Sequence, residues 1–263
     1  MELNGRKVLL TGASGGIGAA IARELASAGA KLTLTARRTE LIEQLATEVG
    51  GTTHVCDLAD RTQLEQLLSD NADTGILVAN AGLPGSGHAL ELDQEYIDKT
   101  LEVNLRAPIR MARALAPQMR ERGGGQIVLI SSIAGKVAPA GSAVYSATKF
   151  GLRGFAHGLR GDLHGSGVGV SVICPGFIRD AGMFHDSGVR PPKGSGSRTP
   201  EQVAKAVRRA IERDVSEIDV AAPDQRIGGK LGALAPELTA RLTRKLGGKE
   251  FGAKVAAGQR DKS

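Results

Sequence analysis

The stretch Lys7–Gly29, KVLLTGASGGIGAAIARELASAG, decides the fold. Lys7–Thr11 is a short apolar, β-rich run that breaks into a turn punctuated by Gly12, Gly16 and Gly18. From there IGAAIARELASAG repeats its apolar positions at helical spacing. A strand, a glycine-rich turn and a helix in that order leave out Cβ atoms where a backbone must approach a pyrophosphate, whose charge then faces the helix N-terminus. The spacing is Gly-x3-Gly-x-Gly, and not the Gly-x-Gly-x2-Gly of the widespread dinucleotide fingerprint. Tight packing alone can demand glycine, but the position between a clean strand and an amphipathic helix favours phosphate binding.

Outward from this unit the same alternation continues. Strands are expected at Lys7–Thr11, Lys31–Thr35, Thr53–Cys56, Gly75–Ala79, Gln126–Ser131, Gly169–Cys174 and Glu217–Ala221, with helical patterns between them, including one long helix over Gln94–Arg122. This implies an α/β fold, a single domain with a parallel sheet and helices on both faces, whose ligand sits beyond the carboxyl ends of the strands. The domain is expected over residues 1–222. Phe177–Arg198 interrupts the pattern as a long Gly/Pro-rich segment carrying Met183 and Phe184, the length of a substrate lid. It ends at Thr199-Pro200-Glu201-Gln202, a capping box with proline at the first helical position. Residues 223–263 read as a basic extension with a short amphipathic helix at Pro236–Leu246. Its Leu238, Leu242 and Leu246 lie on one side, with Arg241, Arg244 and Lys245 around them. Such a stripe packs against the body or a neighbouring subunit, or it lies at a lipid interface.

Three residues suggest proton chemistry. Tyr145 and Lys149 stand four apart in a helical pattern, so phenol and ammonium share a face, and Ser132 ends an apolar strand that can bring a hydroxyl to the same point. A free phenol, with a pKa near 10, is a poor proton carrier at neutral pH. An ammonium about 4 Å away is worth roughly 4 kcal/mol at an effective dielectric of about 20, so the tyrosine is expected to titrate lower. Joined to a phosphate-binding turn, this set indicates redox chemistry on an alcohol or carbonyl.

TGASGGIG, the ANAG of Ala79–Gly82, the VNL around Asn104, ISS ending at Ser132, Tyr145-x3-Lys149 and Pro175-Gly176 follow one another in an order and spacing that resemble the short-chain dehydrogenase/reductase family over roughly residues 4–221. The resemblance implies a single doubly wound Rossmann-type domain with a seven-stranded sheet, a dimer or tetramer, and NAD(P). It makes Tyr145 the general acid/base, with Ser132 positioning the substrate oxygen. Lys149 assists the phenol and the nicotinamide ribose, and Asn104 holds a water that links Lys149 to solvent. Asn104 can equally satisfy a backbone group near a kink at Pro108. The resemblance also places Gly12, Ser14, Gly16, Ile17, Gly18, Leu58, Asn80, Gly82, Tyr145, Lys149, Pro175 and Ile178 against the cofactor, with Asp57 as acceptor for the adenine amino group. Asp57 can also cap the helix that follows it.

The second strand ends LTLTARRTEL. Ala36 stands where an acidic residue would hold the ribose of NAD, and Arg37-Arg38 follow directly. A guanidinium grips phosphate through charge-assisted bonds, so the expected cofactor is NADP(H), with Arg37 as phosphate ligand and Ser14 assisting. Asp180 departs from the threonine of many relatives and would repel the pyrophosphate unless Arg179 neutralises it. His185 is expected to be a polar lid residue.

Composition narrows the function. With no Trp and two Tyr among 263 residues, stacking on nucleic-acid bases is disfavoured. The formal charge of +6 is a C-terminal property: residues 190–263 carry 16 Lys/Arg against 9 Asp/Glu, and residues 1–189 carry 18 against 19. Cys56 and Cys174 read as buried thiols in a reducing compartment, no metal-ligand spacing occurs, and no apolar run is long enough to span a bilayer. A cytoplasmic location is expected. The expected function is interconversion of a carbonyl and a secondary alcohol by hydride transfer. The alternatives are reduction of a 3-oxoacyl thioester on an acyl carrier, or nicotinamide binding for regulation without turnover.

Overall fold

In the computed structural model, which describes residues 1–245 and 247–259, β1 (Lys7–Thr11) sends Val8 and Leu10 into one apolar core and Leu9 into another. That period-two division is what a strand buried on both faces requires. The first core takes Ile21 and Leu25 of α1 (Gly16–Ser27), Ile42 and Leu45 of α2 (Thr39–Val49), and Val203, Val207 and Ile211 of α8 (Pro200–Arg213). The second takes Leu64 and Leu67 of α3 (Arg61–Asp70), Met111, Leu115 and Met119 of α5 (Ala107–Glu121), and Leu152 of α6 (Ala143–Asp162).

The sheet is seven-stranded in the order β3-β2-β1-β4-β5-β6-β7, and every pair is parallel. The other strands are β2 (Lys31–Ala36), β3 (Thr52–Val55), β4 (Ile76–Ala79), β5 (Gly125–Ile130), β6 (Val168–Pro175) and β7 (Glu217–Val220). The chain runs outward from β1 to β3 and then returns to the other side of β1 as β4. Reversal of strand order there opens a crevice at the carboxyl ends of β1 and β4. The capping box at Thr199 is formed, with Gln202 and Thr199 bonded reciprocally.

Two expectations give way. The single helix over Gln94–Arg122 is three segments: α4 (Gln94–Leu101), a π-helical turn at Glu102–Arg106, and α5. Ala107 N donates to Glu102 O, an i→i−5 bond, and Pro108 directly after it has no N–H to offer the ordinary ladder. Among the described residues the tail holds three helices instead of one: α9 (Pro223–Leu234), α10 (Pro236–Lys245) and α11 (Gly248–Ala257). Leu246 lies outside the described residues.

Candidate active site

The glycine turn is shaped by steric exclusion. Gly12 has a φ of 67°, and a Cβ there would sit 2.7 Å from Ala81 Cα; at Gly18 it would meet Gly12 O at 2.2 Å. Only glycine lets these backbones approach. Thr11 and Asn80 lock the turn to the end of β4. Thr11 Oγ1 accepts from Asn80 N and Ala81 N, both at 3.0 Å, and Asn80 Nδ2 donates to Thr11 O and Gly12 O, both at 3.1 Å. This leaves a concave cradle at the N-terminus of α1, the form a pyrophosphate needs.

A continuous cavity of about 2200 Å³ begins at this cradle. Gly12, Ser14, Gly16, Ile17, Gly18, Arg37, Asp57, Leu58, Asn80, Gly82, Ser132, Tyr145, Lys149, Pro175 and Ile178 all line it. Asn104 stands behind the wall, fully buried: its Oδ1 accepts from Leu83 N at 2.7 Å, and its Nδ2 donates to Leu83 O at 2.9 Å and Thr148 Oγ1 at 3.3 Å. It therefore fixes the loop after β4 to α6 from within the π-helical turn. The site's parts converge at Gly82, where a Cβ would lie 3.3 Å from Asn104 Oδ1 and 3.7 Å from Lys149 Nζ.

Ser132 follows β5 and caps a short 3₁₀ turn at Ile133–Gly135 through Ala134 N at 3.1 Å. Its hydroxyl also reaches Pro175 O at 3.3 Å and shares a hydrogen bond with Tyr145. Lys149 Nζ donates to Ile130 O at 2.9 Å and lies 5.6 Å from the Tyr145 ring centroid. Burial pushes the Tyr145 phenol up to about 12, against the pull of the Ser132 hydrogen bond, and brings Lys149 down to about 8. The expected depression of Tyr145 by Lys149 does not hold in the protein alone. The ammonium is engaged by a backbone carbonyl and not by the phenol oxygen, so desolvation dominates.

At the end of the cavity beside β2, Arg38 and not Arg37 reaches the glycine turn, through Nη2 to Ser14 O at 2.8 Å and to Ser14 Oγ at 3.2 Å. Both arginines are exposed at the cavity wall. Asp57 Oδ1 accepts from Ala59 N at 3.0 Å, and the cap of α3 is Asp60, which accepts from Thr62 N and Gln63 N. Asp57 is therefore not the helix cap. Cys56 and Cys174 are free and buried, and burial raises both thiols, to about 11 and about 12.

The Phe177–Arg198 segment is pinned at both ends. Ile178 and Arg198 form a parallel bridge, and Arg198 N donates to Phe177 O at 2.9 Å. Its middle carries a single helical turn, α7 (Met183–Asp186), and a Cβ on Gly16 would fall 2.2 Å from Ala181 Cβ. The segment therefore rests on the glycine turn. Asp180 adopts a φ of 71°, is exposed, and pairs with Arg179 at 3.3 Å, which supplies the neutralisation it needs. His185 is exposed and 3.3 Å from Asp186.

The tail contributes contacts that no pattern in the sequence announces. Gln225 of α9 accepts from Phe177 N at 2.9 Å and donates to Gly196 O at 2.6 Å, tying both arms of the Phe177–Arg198 segment together. Phe251 of α11 joins Phe177 and Phe184, with centroids 5.7 and 6.4 Å away. Gln259 Nε2 donates to Met183 O at 2.8 Å. Lys136, buried beside the cavity, pairs with Glu217 at 2.6 Å and with Asp219, which ties the 3₁₀ turn to β7. No motif marks these residues in the sequence.

A glycine cradle at a topological switch point, continuous with a Ser-Tyr-Lys set, defines a nucleotide-dependent oxidoreductase. Residues 6–189 match the short chain dehydrogenase family. The chain belongs to the short-chain dehydrogenase/reductase family, whose members use a nicotinamide cofactor. It is 38% identical over 227 residues to the ketoacyl reductase HetN of Nostoc sp., an alignment covering 83% of this chain and 79% of HetN. It is 35% identical over 181 residues to the 3-oxoacyl-(acyl-carrier-protein) reductase FabG of Rickettsia prowazekii, covering 68% and 75% of the two chains. Among solved structures, a short chain dehydrogenase from Burkholderia cenocepacia in complex with NADP superposes with a TM-score of 0.79 at 29% identity, covering 92% of this chain and 99% of that one.

Proposed function

We propose that this protein is an NADP(H)-dependent reductase of an apolar carbonyl compound, reversible to the secondary alcohol, with Tyr145 as the general acid/base. One observation carries the reading: Ser132, Tyr145 and Lys149 meet in the cavity that begins at the glycine cradle. The cradle, the Asn80 brace and the wall at Asp57 and Leu58 suit a dinucleotide, and Arg38 with Ser14 provides donors for a 2′-phosphate. Arg37, one residue away, is the second candidate for that contact. When bound, the nicotinamide supplies or accepts the hydride.

Ser132 holds the substrate oxygen through its hydroxyl, and Tyr145 gives that oxygen its proton on reduction or takes it on oxidation. Lys149 keeps positive charge beside the phenol while anchored to Ile130 O. Asn104 holds Leu83, and so the floor of the cavity, in register with α6; a water held there would relay protons to Lys149. The aromatic group Phe177, Phe184 and Phe251 gives the substrate end its apolar character.

A second reading, reduction of a 3-oxoacyl thioester, is favoured by the similarity to HetN and FabG and by Arg244 and Lys249 at the cavity wall, where an anionic carrier group would find cations. A panel of simple ketones and 3-oxoacyl thioesters, followed by loss of NADPH absorbance, separates the two readings. Tyr145→Phe is expected to abolish turnover on any active substrate and leave NADPH affinity, measured by calorimetry, within about threefold. Retained turnover would refute the assignment of Tyr145.

A further inference from the structure

The tail helices have two unlike faces. Toward the body, α9 presents Gly228, Gly229 and Gly232, and α10 presents Thr239, Ala240 and Thr243; of these all but Gly229 line the cavity. A Cβ on Gly232 would lie 2.3 Å from Val137 Cγ1, so α9 is pressed against the turn after β5 by its glycine face. The opposite face of α9 carries Ile227, Leu231 and Leu234, and that of α10 carries Leu238 and Leu242, all five exposed. Leu234, at the elbow between the helices, is 84% exposed, and Leu238 is 55% exposed. Leu238 and Leu242 therefore do not pack on the body.

This apolar ridge is set among cations. Helices α9 and α10 contain Arg226, Lys230, Arg241, Arg244 and Lys245 against two acids, Asp224, which accepts from Ser195, and Glu237, which pairs with Arg241. At 100° per residue, Lys230 falls on the leucine side of α9, and Arg241 and Lys245 fall on the leucine side of α10. A second copy meeting this face by two-fold symmetry would set the same cations against each other, and the leucines would be covered at the cost of that repulsion. An anionic lipid surface satisfies both features at once, taking the leucines below the headgroups and the ammonium and guanidinium groups among the phosphates.

We infer that the α9–α10 hairpin seats the protein peripherally on anionic bilayers, with Leu234 at the deepest point. The seat and the cavity share two helices, so the substrate end opens beside the surface in which an apolar carbonyl compound would accumulate. The attachment itself does not depend on which carbonyl is reduced.

Co-sedimentation of the full chain with vesicles of phosphatidylcholine, with and without phosphatidylglycerol, tests this. Binding is expected only with the anionic lipid, weakening as salt is raised, and falling at least tenfold in Leu234→Asp/Leu238→Asp and in Lys230→Glu/Lys245→Glu. None of these four side chains lines the cavity, so circular dichroism and the melting temperature should match the parent chain and report correct folding. No binding to anionic vesicles, or equal binding by the parent and both variants, overturns the inference. So does a change of oligomeric size in the leucine variant with vesicle binding unaltered, since the ridge would then cover a second copy.

Discussion

Glu217, the first residue of β7, allows a quantitative check on how the site's back wall is held. Its carboxylate accepts from Arg153 Nε and Lys136 Nζ, both at 2.6 Å, and from His157 Nε2 at 2.8 Å, with its side chain 19% exposed. Burial acts to raise its pKa, but the hydrogen bonds from Arg153, Lys136 and His157 outweigh it and bring the group from 4.5 down to about 2. That fall is worth about 3 kcal/mol of folding stability at neutral pH. Because the folded-state value is the lower one, the contribution is complete above the unfolded value and is lost as pH falls through the folded one. Glu217→Gln keeps the shape, removes the charge, and leaves Lys136 paired with Asp219. Urea unfolding followed by circular dichroism should therefore show the variant less stable by about 3 kcal/mol at about pH 7, by about 1.5 at about pH 3, and by under about 0.5 near pH 2. Carboxylates other than Asp219, which shares Lys136 with Glu217, titrate alike in both proteins and cancel in the difference. A gap that stays constant from neutral to acid pH would refute the reasoning, because it would owe nothing to the charge on Glu217.

Three further outcomes follow from the geometry. Arg38→Ala should raise the KM for NADPH by roughly 10–100-fold with little effect on NADH, since charge-assisted bonds are worth about 1.5–3 kcal/mol, and Arg37→Ala should do less; steady-state kinetics with both cofactors would show the reverse order if Arg37 is the phosphate ligand. Asn104→Ala leaves the N–H and C=O of Leu83 without their side-chain partner in a buried place, and unfolding should cost about 2–4 kcal/mol less than in the parent chain, with kcat falling as well; unchanged melting and turnover would remove Asn104 from the account. Gly252→Ala puts a Cβ 1.9 Å from Ala140 O and must displace α11 from the cavity wall. KM for a bulky carbonyl substrate should rise at least about tenfold with NADPH affinity retained, whereas an unaltered KM would show that α11 does not bound the substrate.

The fold was legible because its signals are local and repeated. Lys7–Thr11 is a strand with the bounds its sequence suggests, and the Gly12–Gly18 turn leads into α1 as the apolar spacing requires. Ser132, Tyr145 and Lys149 meet because strand end and helix face are fixed by periods of two and 3.6. What escaped depends on distant contacts. α9 holds Gly228, Gly229 and Gly232, a composition that argues against a helix, yet Val137 tolerates nothing larger at Gly232, and tertiary packing overrides propensity. The π-helical turn at Glu102–Arg106 has no composition of its own. Nor does the sequence show that Arg38 reaches Ser14: β2 runs through Ala36, Arg38 becomes the residue before α2, and its side chain turns back to the glycine turn. The tail's role in the site was illegible because Gln225 and Phe251 act on the Phe177–Arg198 segment across 29 residues or more of chain.

Burial moves the two titrating groups of the site toward neutrality from opposite sides, Tyr145 upward and Lys149 downward. At neutral pH the phenol in the protein alone therefore keeps its proton, and Lys149 remains largely charged. Under the proposed function, that is the state a general acid must be in before it can protonate a carbonyl oxygen. Oxidation of an alcohol asks for the phenolate, which the same burial disfavours. Positive charge brought close to the phenol is what would supply it, and Lys149, held on Ile130 O and 5.6 Å from the ring centroid, supplies too little by itself. The distance between Lys149 and the phenol thus makes proton release conditional on a further charge in the cavity. The bond from Lys149 Nζ to Ile130 O holds the ammonium at that distance.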